Sequence, residues 1–272
     1  MSGAAALDSF TSLWEEWRTE RDRVLAEPYG ILSITSINFL TAEPVPIEGV
    51  PGRWSTSEDG PVVELAPGEE LLDGDRTVTG RLALGPLAGS PPRQLRSGRI
   101  LIEAFRKDGW DIVRPRDPEA PLRVGFAGTP AYDPDPRWRI AGRWLPYPAP
   151  RSVRIGSIQE RLGGPVDSPG EVEFELDGRV HRLVAVPAHG APGSIALLFR
   201  DRTSGVTTYP AQRELLVALP ESGDAVVLDF TRAANKNCAY TDFAVCPLPP
   251  AGNTLDVAIE AGERIPYGRL ES

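Results

Sequence analysis

A polar segment near the C-terminus carries the residues with the clearest capacity for chemistry. It runs from Asp229 to Pro250, directly after an apolar run, and it contains both cysteines of the chain, Cys238 and Cys246. A long ordered loop after a strand is uncommon unless it binds something or anchors the fold. The two thiols could be buried anchors of this loop, a disulfide, a redox pair, metal ligands or, least of all, a nucleophile.

The cysteine spacing favours the anchoring role. Seven residues separate Cys238 from Cys246, which does not match the close cysteine pairs of zinc sites. The two histidines, His181 and His189, stand in no context that points to a cysteine partner. We expect no metal centre, and we expect Cys238, Tyr240 and Cys246 to position the loop. So few cysteines, in a chain whose start is not an export signal, are expected to stay reduced.

A second polar cluster lies between Phe199 and Arg213. Asp201 to Gly205 has the composition of a turn in which Asp and Thr side chains bond to nearby backbone groups. The alternative is that Tyr209 and Arg213 project into a pocket, where a guanidinium binds carboxylate or phosphate in bidentate fashion. A third cluster, Arg114-Pro115-Arg116-Asp117, is interpreted as a solvated turn.

The leading functional hypothesis is a pocket for a small anionic molecule where the loop from Asp229 to Asn253 meets the turn from Asp201 to Arg213. Arg213 and Arg232 would hold the anion, and the other side chains would supply hydrogen bonds. The predicted ligand-binding residues are Asp201, Thr203, Tyr209, Arg213, Arg232, Asn235 and Asn253. No residue can be assigned a catalytic role and no cofactor is indicated, so the sequence leaves open whether the protein is an enzyme.

Two other classes of protein remain open. In a non-catalytic structural or interaction protein, the same polar residues would only satisfy a buried loop, with Asp229 and Arg232 paired internally. In a thiol redox or metal protein, which is the weaker alternative, both cysteines would be used. The nucleotide-binding glycine loops, the serine-hydrolase elbow and the zinc-protease helix motif are all missing from the sequence.

Charge and hydropathy exclude further classes. The formal net charge is −9, whereas a mainly electrostatic nucleic-acid binder needs a basic face. The N-terminus lacks the basic start and apolar stretch of a signal peptide, and no run of 18 apolar residues occurs. We therefore expect a cytoplasmic protein that binds neither nucleic acid nor membrane; its oligomeric state is not indicated.

The elements that must position these residues are mostly strands. Apolar residues from Phe10 to Leu25 recur at helical spacing, which predicts a core-packing helix that Asp8 or Ser9 caps and Pro28 ends. Short apolar runs separated by turns such as Asp108-Gly109 then predict antiparallel strands. The sequence predicts a mainly β protein, α+β minor, with the N-terminal helix packed on antiparallel sheets in barrel-like or sandwich halves. The predicted regions are a helix (1–30), a first β region (31–128), a Pro-rich crossover (129–150) and a second β region with the cysteine loop (151–272).

The polar segments also resemble a known family. The run from Val227 to Ala233, the Cys238 and Cys246-Pro247-Leu248-Pro249-Pro250 segments, and the ending Ile259-Glu260-Ala261-Gly262-Glu263 are similar to the bacterial domain of unknown function 1684. Further agreement comes from Asp201, Thr203, Gly205, Thr208, Tyr209 and Arg213, from Trp14, Trp17, Arg21, Gly30, Leu32 and Ser33 in the opening, and from Arg114, Asp117, Arg123 and Phe126 in the middle. Gln212 stands where the family usually has glycine. The resemblance implies no established activity.

Overall fold

The computed structural model describes residues 3–157, 164–244 and 246–269, with side chains from residue 7 onward. The chain forms two compact units. Unit 1 comprises Met1–Asp22 and Gly128–Ser272, and unit 2 comprises Arg23–Ala127. Both are built mainly from antiparallel strands, which confirms the predicted mainly β class with one N-terminal helix.

The N-terminal helix, α1, spans Gly3–Leu25 and therefore begins before the predicted caps. Its predicted apolar stripe is only partly buried. Leu25 is 5% exposed, whereas Leu13 and Val24 are 53% and 46% exposed. The indole of Trp14 donates to the Thr231 carbonyl at 2.9 Å, so a polar contact accompanies the packing of the helix. Among the described residues, no helix has both the length and the apolar composition needed to cross a bilayer.

Unit 2 contains two antiparallel sheets. Its strands are β1 (Asn38–Phe39), β2 (Val45–Ile47), β3 (Val50–Ser57), β4 (Gly60–Glu64), β5 (Leu71–Asp73), β6 (Arg76–Val78), β7 (Arg81–Ala83), β8 (Arg93–Ser97), β9 (Ile100–Lys107) and β10 (Trp110–Arg116). A six-stranded sheet has the order β1-β10-β9-β8-β5-β6, and a four-stranded sheet has the order β2-β3-β4-β7. A short helix, α2 (Pro121–Val124), follows β10.

Local turn chemistry sets the register of these hairpins. Asp108 and Gly109 form the two-residue connection between β9 and β10, and both have positive φ, 49° and 85°. An Asp-Gly pair tolerates this backbone, which matches the twist of the flanking strands. The strand β10 continues through Arg114 and Arg116, both of which are half-buried. The interpretation of that segment as a solvated turn is therefore wrong.

Unit 1 contains two antiparallel sheets as well, and each has four strands. Its strands are β11 (Arg139–Ile155), β12 (Gly164–Leu176), β13 (Arg179–Val184), β14 (Val186–Pro187), β15 (Ser194–Phe199), β16 (Arg213–Ala218), β17 (Ala225–Asp229) and β18 (Ala234–Asn235). The sheet orders are β13-β12-β11-β17 and β14-β15-β16-β18. The core of the unit includes Phe230, whose ring contacts those of Phe174 and Phe199 at centroid distances of 5.7 and 5.5 Å.

Residues 139–150 of the Pro-rich stretch lie inside β11. Where the sequence predicts a crossover over residues 129–150, the structure has a strand from Arg139 onward. Pairing with β12 stops at Pro146 and resumes at Arg151 with a shifted register. Proline has no amide proton to donate to a ladder, so a Pro-rich strand can continue only through such an interruption.

Candidate functional site

The side chain of Arg213 lies in the interior of unit 1. It is the first residue of β16 and is 1% exposed. Its Nη2 donates to Asp201 Oδ2 at 2.6 Å and to the Ile259 carbonyl at 3.0 Å, and its Nη1 donates to the Ala261 carbonyl. The guanidinium carbon lies 5.3 Å from the centre of the Phe199 ring.

The buried surroundings of Arg213 disfavour its positive charge. Burial lowers the pKa of Arg213, although the Asp201 carboxylate acts in the opposite direction. The aspartate side chain is fully buried as well. A ligand could therefore replace Asp201 as the partner of Arg213 only if the interior opened.

The predicted turn beside this pair is confirmed. Asp201 Oδ1 accepts from the Thr203 amide at 2.7 Å and from the Thr203 hydroxyl at 2.5 Å. The same hydroxyl lies 2.8 Å from that of Thr208. One carboxylate therefore organises its own turn and neutralises Arg213. We call Arg213, Asp201, Thr203 and Thr208 the Arg213 cluster.

Asn253, a predicted ligand-binding residue, is fully buried and fully occupied. Its Oδ1 accepts from the Val184 amide at 2.8 Å, and its Nδ2 donates to the carbonyls of Val184 and Leu198 at 2.9 and 2.8 Å. Val184 ends β13 and Leu198 lies in β15. The amide therefore joins two strands from different sheets of unit 1.

A second buried cluster forms around Glu263, which sequence reasoning missed as a site residue. Its side chain is fully buried. The carboxylate accepts from Arg21 through Nε and through Nη2, the latter at 3.0 Å, and from Arg18 Nη1 at 3.4 Å. It also accepts from the backbone amide of Asn235 at 2.6 Å and from the Tyr240 hydroxyl at 3.1 Å. We call Glu263, Arg18, Arg21, Asn235 and Tyr240 the Glu263 cluster.

The two clusters meet at the C-terminal segment. Arg213 binds the carbonyls of Ile259 and Ala261, and Glu263 follows two residues later. Gly262 between them has φ +77°, and a Cβ there would lie 2.4 Å from the Ala233 carbonyl oxygen. Only glycine combines that φ with so close an approach of backbone to backbone. Many acidic residues of the sequence adjoin a glycine, so no local signal singles out Glu263.

Charge effects in the Glu263 cluster are large. Burial opposes the charge on Arg21, but the charge of Glu263 and its hydrogen bond raise the pKa of Arg21 overall. Burial, and then the negative charge of Glu263, raise the pKa of Tyr240. Its hydroxyl also lies 2.9 Å from that of Thr129. The phenol therefore stays neutral and donates to the carboxylate.

The cysteines flank Tyr240 and are joined by a disulfide. Cys238 and Cys246 have a Cα–Cα distance of 5.2 Å, and neither is free. The expectation of reduced thiols is therefore wrong, because the folded loop brings both sulfurs to bonding distance. Both residues are buried, at 4% and 3% exposure.

The remaining predicted site residues are less enclosed or have other partners. Tyr209 donates to the Cys238 carbonyl at 2.9 Å, and burial raises its pKa. Asn235 donates through Nδ2 to the Arg264 carbonyl at 2.7 Å. Arg232 is different, because its side chain is 42% exposed and its Nε lies 3.8 Å from Asp229. The structure therefore groups Asp201, Thr203 and Arg213, places Asn235 and Tyr240 in the Glu263 cluster, and leaves Arg232 and Asn253 apart.

The described residues offer no candidate metal site. No group of three or more His, Cys, Asp or Glu side chains there could hold a metal ion.

Comparisons with known proteins identify the family of this chain. No curated protein matches it. A solution NMR structure of an uncharacterised protein from Haloarcula marismortui is 33% identical over 52% of this chain and 78% of its own, with a TM-score of 0.43. A family model described as "Protein of unknown function (DUF1684)" matches residues 124–264, which include the Arg213 and Cys238–Cys246 segments. With about half of its length matched by this model, the chain belongs to the DUF1684 family.

Proposed function

We propose that this is a non-catalytic structural or interaction protein in which the polar residues of unit 1 are a buried scaffold. The observation that carries the proposal is the state of Arg213. Its guanidinium is 1% exposed and donates to one carboxylate and two carbonyls. An anion-binding arginine needs donors that a ligand can reach. The charge of Arg213 is instead neutralised by Asp201 inside the protein.

The Glu263 cluster supports the same conclusion. A general base must have a free lone pair within reach of a substrate proton. The Glu263 carboxylate instead accepts from two arginines, a backbone amide and a tyrosine. Such a carboxylate is suited to holding α1, the cysteine loop and the C-terminal segment together.

Asn253 and Tyr209 extend the scaffold. The Asn253 side-chain amide links β13 to β15, and the Tyr209 hydroxyl donates to the carbonyl of Cys238. Asn253 and Tyr209, which the sequence predicts to bind a ligand, are thus hydrogen-bonded to backbone groups. Any partner molecule would meet the surface of the unit rather than these side chains.

A second candidate function, binding of a small anion, is favoured by one observation at Arg232. Asp229 is shared by Arg139 at 3.3 Å and Arg232 at 3.8 Å, so two guanidinium groups have one carboxylate between them. Their side chains are 50% and 42% exposed. A carboxylate or phosphate group could supply the missing negative charge there.

The test follows the Nε–Hε NMR signals of individual arginines during titration with inorganic phosphate and, separately, acetate. The scaffold proposal predicts that the Arg213 signal does not move and that Arg213→Met leaves every anion affinity unchanged while it lowers stability. Movement of the Arg213 signal with saturation would overturn the proposal. Movement of the Arg232 signal alone would favour the second candidate.

A further inference from the structure

One carboxylate of unit 2 faces two arginines from the neighbouring strand. Glu103 lies on β9, and Arg114 and Arg116 lie on β10. The register pairs Arg114 with Glu103 and Arg116 with Leu101, so the three charged side chains share one face of the sheet. Glu103 Oε2 accepts from Arg114 Nε at 3.0 Å, Arg114 Nη2 at 2.9 Å and Arg116 Nε at 2.7 Å.

Both guanidinium groups are held in place by further contacts. Arg116 Nη1 donates to the carbonyls of Tyr29 and Gly30 at 2.8 and 2.7 Å. The Arg114 guanidinium lies over the Phe105 ring, 4.9 Å from its centre. The side chains of Arg114 and Arg116 are 19% and 11% exposed, so they are ordered by the fold yet still reached by solvent.

The charges of this face do not balance. Arg96 on β8 is paired with Leu101 and therefore lies on the same face, where its guanidinium covers the Tyr29 ring. Within the described ranges, Glu103 is the acidic residue that pairs with Arg114 and Arg116, and Arg96 has no ion pair. By contrast, Arg106 on the opposite face has Asp111 as its partner at 3.1 Å.

Burial and the surplus positive charge lower the pKa of Arg114. Burial is the largest cause, and the neighbouring charge of Arg116 adds to this effect against the attraction of Glu103. A half-buried cation without its own counter-charge is unfavourable, and a bound anion relieves it. Arg114 Nη1 and Arg116 Nη2 make no hydrogen bond to any residue that the structure describes.

We propose that Arg114 and Arg116 form a binding site in unit 2 for a small oxyanion, a phosphate or carboxylate group. Glu103 orients the two guanidinium groups through one edge of each, and the remaining N–H donors bind the anion. Guanidinium groups match both oxyanions with paired, charge-assisted hydrogen bonds. The site is separate from the scaffold of unit 1, and neither proposal depends on the other.

The experiment uses the full chain with labelled arginines. Inorganic phosphate and acetate are titrated separately at constant ionic strength, and the Nε–Hε signals of Arg114 and Arg116 are followed. We expect both signals to shift together and to saturate with a dissociation constant on the order of millimolar, as for a small, partly exposed ionic site. Saturation by phosphate alone identifies a phosphate group as the ligand, and saturation by acetate identifies a carboxylate.

Three variants sharpen the test. Arg114→Gln is expected to weaken binding by at least about tenfold, the loss expected for one charge-assisted contact. Arg76→Gln is the matched control, because it removes the same charge from a side chain that is 67% exposed in the same unit, and it should leave the affinity unchanged. Glu103→Gln should strengthen binding several-fold, because the amide oxygen can still accept from the two guanidinium groups while the negative charge that repels an anion is removed.

Three results would overturn the site. The first is no shift of the Arg114 and Arg116 signals with either anion. The second is a shift that rises without saturation and is the same in Arg114→Gln. The third is weaker binding in Glu103→Gln when its amide spectrum shows a folded protein. If Arg114→Gln does not fold, the wild-type titration and Glu103→Gln decide the question.

Discussion

Arg213 and Asp201 form an ion pair whose two side chains are 1% and 0% exposed, with 2.6 Å between Nη2 and Oδ2. A pair so deeply buried is stabilising only while both partners are present, because removal of one leaves an uncompensated charge in the interior. Asp201 also stabilises the turn at Thr203, because its carboxylate accepts from the Thr203 backbone amide. The pair therefore links a local turn to the C-terminal segment.

Substitution of Arg213 by Met should lower the free energy of unfolding by about 3 to 5 kcal/mol, since Asp201 and two carbonyls lose their donor. Urea unfolding followed by circular dichroism measures the change. Arg202→Met is the matched control, because Arg202 pairs with Asp256 at 2.7 Å on the surface, where the side chains are 64% and 74% exposed. Its midpoint should stay close to that of the wild type. Equal losses in the two variants would contradict the buried scaffold.

Replacement of Gly262 by Ala should be strongly destabilising, by about 3 kcal/mol or more, because backbone strain adds to a clash. Gly74→Ala provides the comparison: Gly74 also has positive φ, +63°, but a Cβ there would meet nothing within 4 Å. That variant should cost only about 1 kcal/mol. Thermal unfolding of the two variants gives the comparison, and similar losses would mean that the chain around Ala233 can move aside.

Asn253→Ala should lower stability by about 3 kcal/mol or more, because three backbone groups of Val184 and Leu198 lose their partner. Asn38→Ala is the control, since the Asn38 amide donates to one backbone carbonyl, that of Val113, at 3.2 Å. Hydrogen exchange of the Val184 amide is the direct measurement. Unchanged protection of that amide in Asn253→Ala would show that another group had taken the place of the asparagine.

Tyr240 should make stability sensitive to alkaline pH. Burial and Glu263 raise its pKa in the folded state above the ordinary value of about 10. Its contribution is therefore complete below about pH 10 and is lost as the pH rises towards the folded-state pKa. The free energy of unfolding, measured across this range, should fall less steeply in Tyr240→Phe than in the wild type. Tyr267→Phe, whose side chain is 65% exposed, should retain the wild-type slope.

The disulfide gives a prediction that mass spectrometry can check first. Alkylation of the denatured, unreduced protein should modify neither Cys238 nor Cys246, and prior reduction should allow both to react. The double variant Cys238→Ser with Cys246→Ser should lose about 2 to 3 kcal/mol, as expected for a short closed loop. Two reactive thiols without reduction would mean that the cysteines act as buried anchors instead. Native mass spectra of the same sample would also reveal any retained ligand.

The sequence by itself determined the local features of this protein. Helical periodicity located α1, and Asp-Gly pairs located hairpins such as that between β9 and β10, because both depend on residues close together along the chain. The turn at Asp201 and Thr203 was predictable for the same reason. The motifs between Val227 and Glu263, together with the Asp201–Arg213 stretch, indicated the family.

Only the tertiary structure decided which charges meet. The chain has 29 basic and 38 acidic residues, and nothing local assigns Glu263 to Arg21, 242 positions away, or Asp201 to Arg213. Packing of the sheets turned Arg213 inward, where burial made an internal partner necessary, and it left Arg232 near the surface. Folding of the loop joined the cysteines, and the pairing of β9 with β10 placed Glu103 beside Arg114 and Arg116. Burial and strand register set these outcomes, and both are properties of the folded chain.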